Sequence, residues 1–338
     1  MDRCEWAKEE MPLRTKILEI LRSAGDAYIS GEEMASRLGV SRTAIWKHIR
    51  ELRENGYDIV SHSRSGYSLR EAPDRLLPNE IRHGLKTQCV GQEIHFEEIL
   101  DSTNNVAKRL AAAGAADGTI VVAEQQTGGK GRLERSFFSP AGKGIWFSVI
   151  LRPPFMPQEA PKCTLLAAVA VAKAMEQFGL APGIKWPNDL LYENRKLVGI
   201  LTEMSAEMDR INHIVIGIGI NVNILPQEFP ADIRETATSL QVVNGGEPVP
   251  RVKFFQAVLA ALDDLYAKVI TQGFAPVLAD WRKYTITLGQ EVRVIGVRDG
   301  EEYTGTAVDI DEEGALLVDA ADGRHRVLAG DVSIRPKK

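Results

Sequence analysis

The stretch Glu124-Gln-Gln-Thr-Gly-Gly-Lys-Gly-Arg-Leu-Glu-Arg-Ser-Phe137 follows an apolar, β-branched run at 119–123, which predicts a buried strand leading into a loop. Three glycines alternate in this loop with the basic residues Lys130, Arg132 and Arg135. Glycine lets backbone N–H groups approach a ligand closely, and Lys and Arg bind phosphate oxygens. The loop has neither the Gly-Lys-Ser/Thr ending of a P-loop nor a G-x-G-x-x-G pattern. It therefore predicts either another kind of anion-binding loop or a solvated hairpin.

The composition is that of a globular chain large enough for two or three domains. Of its 338 residues, 44% are apolar and 26% are charged. The three cysteines, Cys4, Cys89 and Cys163, lie too far apart for a CxxC pair or a disulfide framework, which indicates a reducing cytoplasm. The histidines are equally scattered, so we expect no transition-metal site. The charged N-terminus is unlike a signal peptide, and no apolar run is long enough to span a membrane.

Residues 13–54 carry the signals of three short helices, in which apolar residues recur at helical spacing. Ser30 opens a capping box at the second helix, and Ser41 follows a tight turn and caps the third. Two short strands are expected at 58–60 and 66–69, separated by a polar, basic turn. Three helices followed by a hairpin predict a winged helix-turn-helix.

The third helix presents a basic, polar outer face. The net charge of −5 argues against indiscriminate polyanion binding, but residues 41–70 hold six Lys/Arg against three acidic residues. Such a face suits a DNA major groove, while the basic turn suits the phosphate backbone. The alternative is a winged helix used for protein contacts. The candidate DNA-binding residues are Ser41, Arg42, Thr43, Trp46, Lys47 and Arg50.

Prolines at 73 and 78 mark a linker, and polar side chains follow at the start of a predicted helix. A strand is expected at 93–99, with Ser102, Thr103 and Asn104 directly after it. Such residues are either helix caps or groups that face a neutral polar ligand.

Two later stretches place polar side chains in apolar surroundings. Lys185 lies between apolar residues, so it either snorkels from the end of a strand or points its cation into a site. The stretch 213–223 predicts a strand with glycines at 217 and 219, which permit close approach of a ligand or another backbone. Asn221 offers a donor and an acceptor there.

The remaining pattern predicts a strand at 145–151, helices at 161–178, 251–270 and 276–284, and short alternating strands from 288 onward. Turns at Asp299-Gly300, Glu313-Gly314 and Asp322-Gly323 would separate these strands. We expect a small, SH3-like β-barrel without candidate chemistry of its own.

Several motifs in order resemble one family along nearly the whole chain. They are ISGEEMASRLGVSRTAIWKHI (29–49), GYSL (66–69), KWPNDL (185–190), RKLVGIL (195–201), GIGINVN (217–223) and ATSL (237–240). Together with the glycine-rich loop, they resemble the bifunctional biotin ligase/biotin-operon repressors. The resemblance implies an α+β multidomain protein. It would comprise a winged helix-turn-helix at 1–73, a ligase domain at 74–284 with a mixed sheet like that of class II aminoacyl-tRNA synthetases, and the SH3-like domain at 285–338.

The resemblance also implies a two-step reaction. Biotin and ATP, accompanied by Mg²⁺, form biotinyl-5′-AMP, and a lysine of the biotin carboxyl carrier protein of acetyl-CoA carboxylase then takes the biotin. The implied catalytic residues are Lys185 and Arg132. The implied biotin-binding residues are Ser102, Thr103, Asn104, Gln126, Lys130, Gly131, Arg132 and Lys185. The implied adenylate-binding residues are Gly129, Lys130, Arg132, Arg135, Asn188 and Asn221, and Asp189 is a weak candidate for Mg²⁺.

The resemblance further implies a cytoplasmic repressor of biotin synthesis, with no membrane partner. Biotinyl-5′-AMP would act as corepressor by promoting a homodimer that binds double-stranded operator DNA. Three alternatives remain open: a ligase with a vestigial DNA-binding domain, a lipoate-type ligase, and a sensor without catalysis.

The loop departs from the family's usual G-R-G-R-x-G-R-x-W. Lys130 replaces an arginine and loses its bidentate fork, Glu134 replaces a glycine, and Phe137 replaces a tryptophan. These changes leave the expected reaction class intact, and we expect them to affect the dynamics of the loop and its retention of the adenylate.

Overall fold

The computed structural model describes residues 12–296, 302–329 and 332–336, apart from the side chains of Glu134 and of 332–336. The turn predicted at Asp299-Gly300 lies outside these residues. The chain divides into two compact units, Met1–Arg75 and Leu76–Lys338. The further division of the second unit after residue 284 stays a prediction.

The first unit is the predicted winged helix-turn-helix. Ser30 accepts a hydrogen bond from the Glu33 N–H (3.0 Å) at the start of the second helix, and Ser41 accepts one from Ala44 (3.1 Å) at the start of the third. These side chains satisfy backbone donors that a helix leaves unpaired. The elements are α1 (Leu13–Ser23), α2 (Gly31–Leu38), α3 (Arg42–Glu54), β1 (Asp58–His62) and β2 (Gly66–Glu71).

The wing is an antiparallel hairpin of β1 and β2, and Ile29 extends it through a bridge to Tyr67. Gly66 has a φ of 104°, and a Cβ there would lie 2.0 Å from the Ile29 carbonyl oxygen. Only glycine fits this approach, so Gly66 fixes where the wing meets the segment before α2.

The second unit is built on a mixed sheet of seven strands. Its order is β3-β4-β5-β9-β8-β7-β6, in which β3 and β4 are parallel and the other pairs are antiparallel. The elements up to the end of this sheet are α4 (Pro78–Arg82), β3 (Ile94–Leu100), α5 (Thr103–Ala112), β4 (Ile120–Gln126), β5 (Gly144–Leu151), α6 (Lys162–Gln177), β6 (Ile184–Lys185), β7 (Asp189–Tyr192), β8 (Arg195–Ala206) and β9 (Ile211–Asn221). The mixed sheet expected from the family resemblance is confirmed.

The alternation of side chains along the central strands assigns two faces to this sheet. In β5, Ile145, Phe147, Val149 and Leu151 join the main hydrophobic core, and Ser148 lies on the opposite face. The core is completed by α6 and by three later helices, α7 (Leu240–Val243), α8 (Arg251–Gln272) and α9 (Ala275–Tyr284). The opposite face is covered by α5, and it carries the groove described below.

Leu76 corrects one detail of the predicted linker, because its side chain is fully buried in the core of the second unit. Its N–H donates to Glu124 (2.7 Å), whose carboxylate also pairs with buried Arg251 (2.8 Å). A buried charge must be paired and hydrogen-bonded, and the Leu76 N–H supplies one of the hydrogen bonds to Glu124. The linker therefore ends at Arg75.

The C-terminal part is an antiparallel sheet in the order β13-β12-β11-β10-β14. Its strands are β10 (Glu291–Gly296), β11 (Glu302–Ile310), β12 (Leu316–Ala320), β13 (Gly323–Val327) and β14 (Val332–Pro336). The small all-β domain is thus confirmed. It contacts the KWPNDL segment, because the buried indole of Trp186 donates to the Gly314 carbonyl oxygen (3.1 Å).

Candidate active site

Five of the predicted site residues line one cavity, in a groove on the sheet face opposite the main core. Ser102, Thr103, Asn104 and Gln126 form a cluster at one end of it, and Lys130 joins them from the loop. The cavity has about 20 Å³ of open space, enough for about one water molecule. The Thr103 N–H donates to Gln126 Oε1 (2.8 Å), and the Gln126 amide nitrogen donates to Ser139 Oγ (3.0 Å). We call this cluster the ring end of the groove. It presents fixed donors and acceptors.

Glycines form the floor of the groove. A Cβ on Gly217 would lie 2.0 Å from Asn104 Oδ1, and one on Gly199 or Gly219 would lie 2.6–2.7 Å from the ring of Phe137. The strand glycines thus permit the close approach predicted for them. In this structure the approaching groups are side chains of the protein itself.

The predicted loop is a closed turn above this floor. Gly129 is buried, and a Cβ there would lie 2.4 Å from the Phe137 carbonyl oxygen. Exposed Lys130 donates to Asn105 Oδ1 (2.8 Å), and the Gly131 N–H donates to the Arg135 carbonyl oxygen (2.7 Å). The glycines let the loop pack against the groove, while the side chains of Lys130 and Arg135 are exposed.

Arg132 contacts two other parts of the unit. Its guanidinium donates to Asn188 Oδ1 (3.1 Å) and to the carbonyl oxygen of Ala329 in the C-terminal domain. Burial lowers the pKa of Arg132 from its ordinary value, and the nearby charge of Asp189 opposes this shift. Asp189 itself pairs with Lys196 (2.8 Å). The C-terminal domain thus holds a predicted catalytic side chain through its backbone.

Lys185 lies apart from the ring end. It lines a separate cavity of about 450 Å³, together with Tyr192, Glu193, Ile286 and other residues. This cavity lies between the β6–β7 hairpin and the start of the C-terminal domain. The structure therefore does not bring Lys185 together with the four ring-end residues around one cavity.

The side chains of Asn221 and Asn188 make structural hydrogen bonds to backbone carbonyl groups. The Asn221 amide nitrogen donates to the Thr238 carbonyl oxygen (3.0 Å), which ties the end of β9 to the ATSL segment. The Asn188 amide nitrogen donates to the Ile200 carbonyl oxygen (3.0 Å). Both residues are at least nine-tenths buried.

Asp189 is the weak candidate for Mg²⁺, and its carboxylate accepts from Asn188 and pairs with Lys196. Within the described ranges, no three His, Cys, Asp or Glu side chains converge as a metal site would require. Mg²⁺ often keeps only one or two carboxylate ligands and takes the rest from water and substrate phosphates.

Five of the six candidate DNA-binding residues lie on the exposed face of α3, opposite buried Ile45 and Ile49, and the sixth, Ser41, is exposed and caps the start of the helix. Trp46 is 54% exposed, and the Arg50 guanidinium lies 5.2 Å from the centre of its ring. Arg53 differs from its neighbours because it donates to the Ile59 carbonyl oxygen (2.8 Å) and so fixes the wing.

Sequence reasoning missed two residues of the groove, and it placed Phe137 only in the glycine-rich loop. Ser148 is fully buried and contacts both Thr103 and Asn104, and Glu203 binds Asn104 from β8. The ring of Phe137 lies over the glycine floor. A signal for Ser148 was present, because it is the one polar residue in the continuous apolar run of β5.

Comparisons with known proteins match each part of the chain. Residues 96–221 match the model of the Biotin/lipoate A/B protein ligase family, residues 13–68 match an HTH domain, and residues 287–335 match the Biotin protein ligase C terminal domain. The chain is 42% identical over 323 residues to the bifunctional ligase/repressor BirA of Bacillus subtilis, which covers 95% of this chain and 98% of that protein. The chain belongs to the bifunctional biotin ligase/repressor family.

Other members support the same assignment. The bifunctional ligase/repressor BirA of Escherichia coli is 32% identical, over 95% of this chain and 96% of that protein. Among solved structures, the biotin protein ligase from Aquifex aeolicus in complex with biotin and ATP superimposes with a TM-score of 0.63 at 29% identity. That match covers 73% of this chain and all of the Aquifex chain. Within the described residues, no helix is both long and apolar enough to cross a membrane.

Proposed function

We propose that this protein joins biotin to a lysine of a biotin carboxyl carrier protein at the expense of ATP, and that it represses transcription when its adenylate intermediate is bound. The observation that carries the proposal is the hydrogen-bonded ring end of the groove, where fixed donors and acceptors lie beside a glycine floor and a cationic loop.

In the first step, an oxygen of the biotin carboxylate attacks the α-phosphorus of ATP. The bond from that phosphorus to the β-phosphate oxygen breaks, and pyrophosphate leaves. Two anions must meet, so cations are needed to offset their repulsion, and positioning supplies much of the rate. We assign this work to Lys185 and Arg132, assisted by Lys130 and Arg135, with Mg²⁺ accompanying the nucleotide as part of the substrate.

In the second step, the amine of the carrier lysine attacks the carbonyl carbon of the mixed anhydride. An amide bond forms, the amine loses a proton, and AMP leaves. The anhydride reacts with water, so a loop that closes over it protects it. We assign this role to the stretch 128–137, with Gly129 and Gly131 permitting its close packing. Asn188 and Asn221 would orient the nucleotide.

At the ring end, we assign Ser102, Thr103, Asn104 and Gln126 to the ureido ring of biotin. The test of the enzyme is biotin-dependent exchange of labelled pyrophosphate into ATP, followed by transfer to a purified carrier protein. Exchange with biotin and none with lipoate would support the proposal. Exchange with lipoate alone would favour the lipoate-type alternative, and no exchange with either would favour a sensor.

For repression, we infer that biotinyl-5′-AMP promotes a homodimer, whose two winged helices bind a two-fold symmetric operator in the cytoplasm. Pairing two modules raises avidity without new contacts, and linkage requires that DNA and adenylate strengthen each other's binding. The exposed face of α3 supports this role. An anisotropy titration on the protein's own upstream DNA should give tighter binding with biotin and ATP. Equal affinity with and without both substrates would leave a ligase with a vestigial DNA-binding domain.

A further inference from the structure

Two residues outside the assigned site hold Asn104 from opposite sides. The Asn104 amide nitrogen donates to Glu203 Oε2 (2.9 Å) and to the Leu201 carbonyl oxygen (3.3 Å). The Ser148 hydroxyl donates to Asn104 Oδ1 (2.6 Å). Asn104 is only 3% exposed and lies against Gly217, so its amide has little freedom to move.

These contacts decide which way the Asn104 amide is oriented. An ionised carboxylate and a backbone carbonyl only accept hydrogen bonds, so both must face the amide nitrogen. The two amide hydrogens are then used by Glu203 and Leu201. The oxygen, Oδ1, accepts from Ser148 and keeps capacity for one more donor. Asn104 therefore offers the groove an acceptor and no donor.

Lys108 keeps Glu203 in the form that this arrangement needs. Its ammonium lies 2.7 Å from Glu203 Oε1, on the side away from Asn104. Partial burial alone would raise the pKa of Glu203, but the hydrogen bonds from Lys108 and Asn104 outweigh it, and the net pKa is lowered. The carboxylate is thus ionised at neutral pH and cannot donate to the amide.

Ser148 also lies next to Thr103, because the two hydroxyl oxygens are 2.8 Å apart. The single hydroxyl hydrogen of Ser148 serves the closer acceptor, Asn104 Oδ1 (2.6 Å). The Thr103 hydroxyl also reaches Gln126 Oε1 (3.1 Å), so the contact between the two hydroxyls fixes no further direction of hydrogen bonding.

We propose that Glu203 and Ser148 are positioning residues that fix Asn104 as a hydrogen-bond acceptor, so that the groove selects its ligand by a ring N–H group. The proposal rests on the proposed function, because the ligand with that group is biotin. Neither residue touches the ligand; each acts through Asn104. Glu203 sets the orientation of the amide, and Ser148 reinforces it.

The test compares biotin with its two N-methyl derivatives, each lacking one ring N–H, by titration calorimetry without ATP. For the wild-type protein, one of the two derivatives should bind about tenfold to a hundredfold more weakly than biotin, as expected when a buried acceptor loses its donor. In Glu203→Gln the side chain can donate to Asn104, so only the Leu201 carbonyl still requires the amide nitrogen and the amide is held less firmly in one orientation. The ratio of the affinity for biotin to the affinity for the weaker derivative should then fall by about tenfold. Glu207→Gln changes an exposed carboxylate that pairs with Arg210. It is the matched control and should keep the wild-type selectivity for biotin over its derivatives.

Unchanged selectivity in folded Glu203→Gln would overturn the positioning role, although biotin binding by the wild-type protein would leave the proposed function standing. A wild-type protein that binds no biotin would instead reject the proposed function itself. If Glu203→Gln does not fold, Ser148→Ala tests the second positioning residue, because it removes the hydroxyl that donates to Asn104 Oδ1. Selectivity should fall in that variant too, by a smaller factor, and unchanged selectivity there would overturn the proposal.

Discussion

The ring end of the groove is already assembled in this structure, whereas the cationic residues of the site lie apart from one another. At the ring end, Thr103, Asn104, Gln126, Ser139 and Ser148 already form one hydrogen-bonded network. The cations are dispersed. Lys130 lines the ring-end cavity and bonds Asn105, Arg132 bonds Asn188 and Ala329, and Lys185 lines a second cavity.

This difference follows from the elements that carry the residues. The ring end is built on strands and on the first turn of α5, which are held by the core. Arg132 and Lys130 lie on a loop, and Lys185 lies on a two-residue strand at the edge of the sheet. We infer that the part that recognises biotin is preformed and that the part that performs chemistry assembles when both substrates bind.

The largest expected effect is at Lys185. Lys185→Ala should slow biotinyl-AMP formation by about 10²–10³-fold, the usual cost of one preorganised electrostatic contact. Pyrophosphate exchange measures it. Lys173→Ala, which removes an ammonium paired with Asp280 on the helical side of the unit, is the control and should keep the normal rate. A normal rate in Lys185→Ala would separate this lysine from the chemistry.

A smaller effect is expected at Arg132. Arg132→Gly should raise the labelling of bystander lysines by about tenfold, because the loop loses a charged hydrogen bond that helps retain the anhydride. Labelling of an unrelated protein mixed with the carrier measures this leak. Arg210→Gly, on an exposed arginine, serves as the control. Labelling that stays confined to the carrier would assign retention to another residue.

The smallest effect is expected at Phe137, whose ring occupies the glycine floor. Phe137→Ala should speed biotin association by about threefold. A protein binds its ligand in proportion to the fraction of molecules in the binding-competent state, and removal of the ring from the groove should raise that fraction. Stopped-flow fluorescence measures the rate. Phe138→Ala removes a neighbouring ring that packs 6.3 Å from Phe229, outside the groove. If both variants associate at the wild-type rate, Phe137 does not limit entry.

The sequence was sufficient to predict the winged helix and the strands, because caps, glycine turns and alternating apolar residues are local signals. It also indicated the residues of the ring end through the family resemblance. It did not predict Glu203 as a partner of Asn104, since 99 residues separate them and only the pairing of strands brings them together. Nor did it predict that Lys185 would line a cavity of its own.

We infer that the ring end binds the ureido ring of biotin without Lys185. Biotin methyl ester tests it most directly, because it keeps the ureido ring and has no carboxylate. Calorimetry should show that Lys185→Ala binds the ester within about twofold of the wild-type affinity, as expected for independent sites. Asn104→Ala should bind it at least about tenfold more weakly, through the loss of a buried acceptor. Equal loss of ester binding in both variants would contradict a preformed ring end.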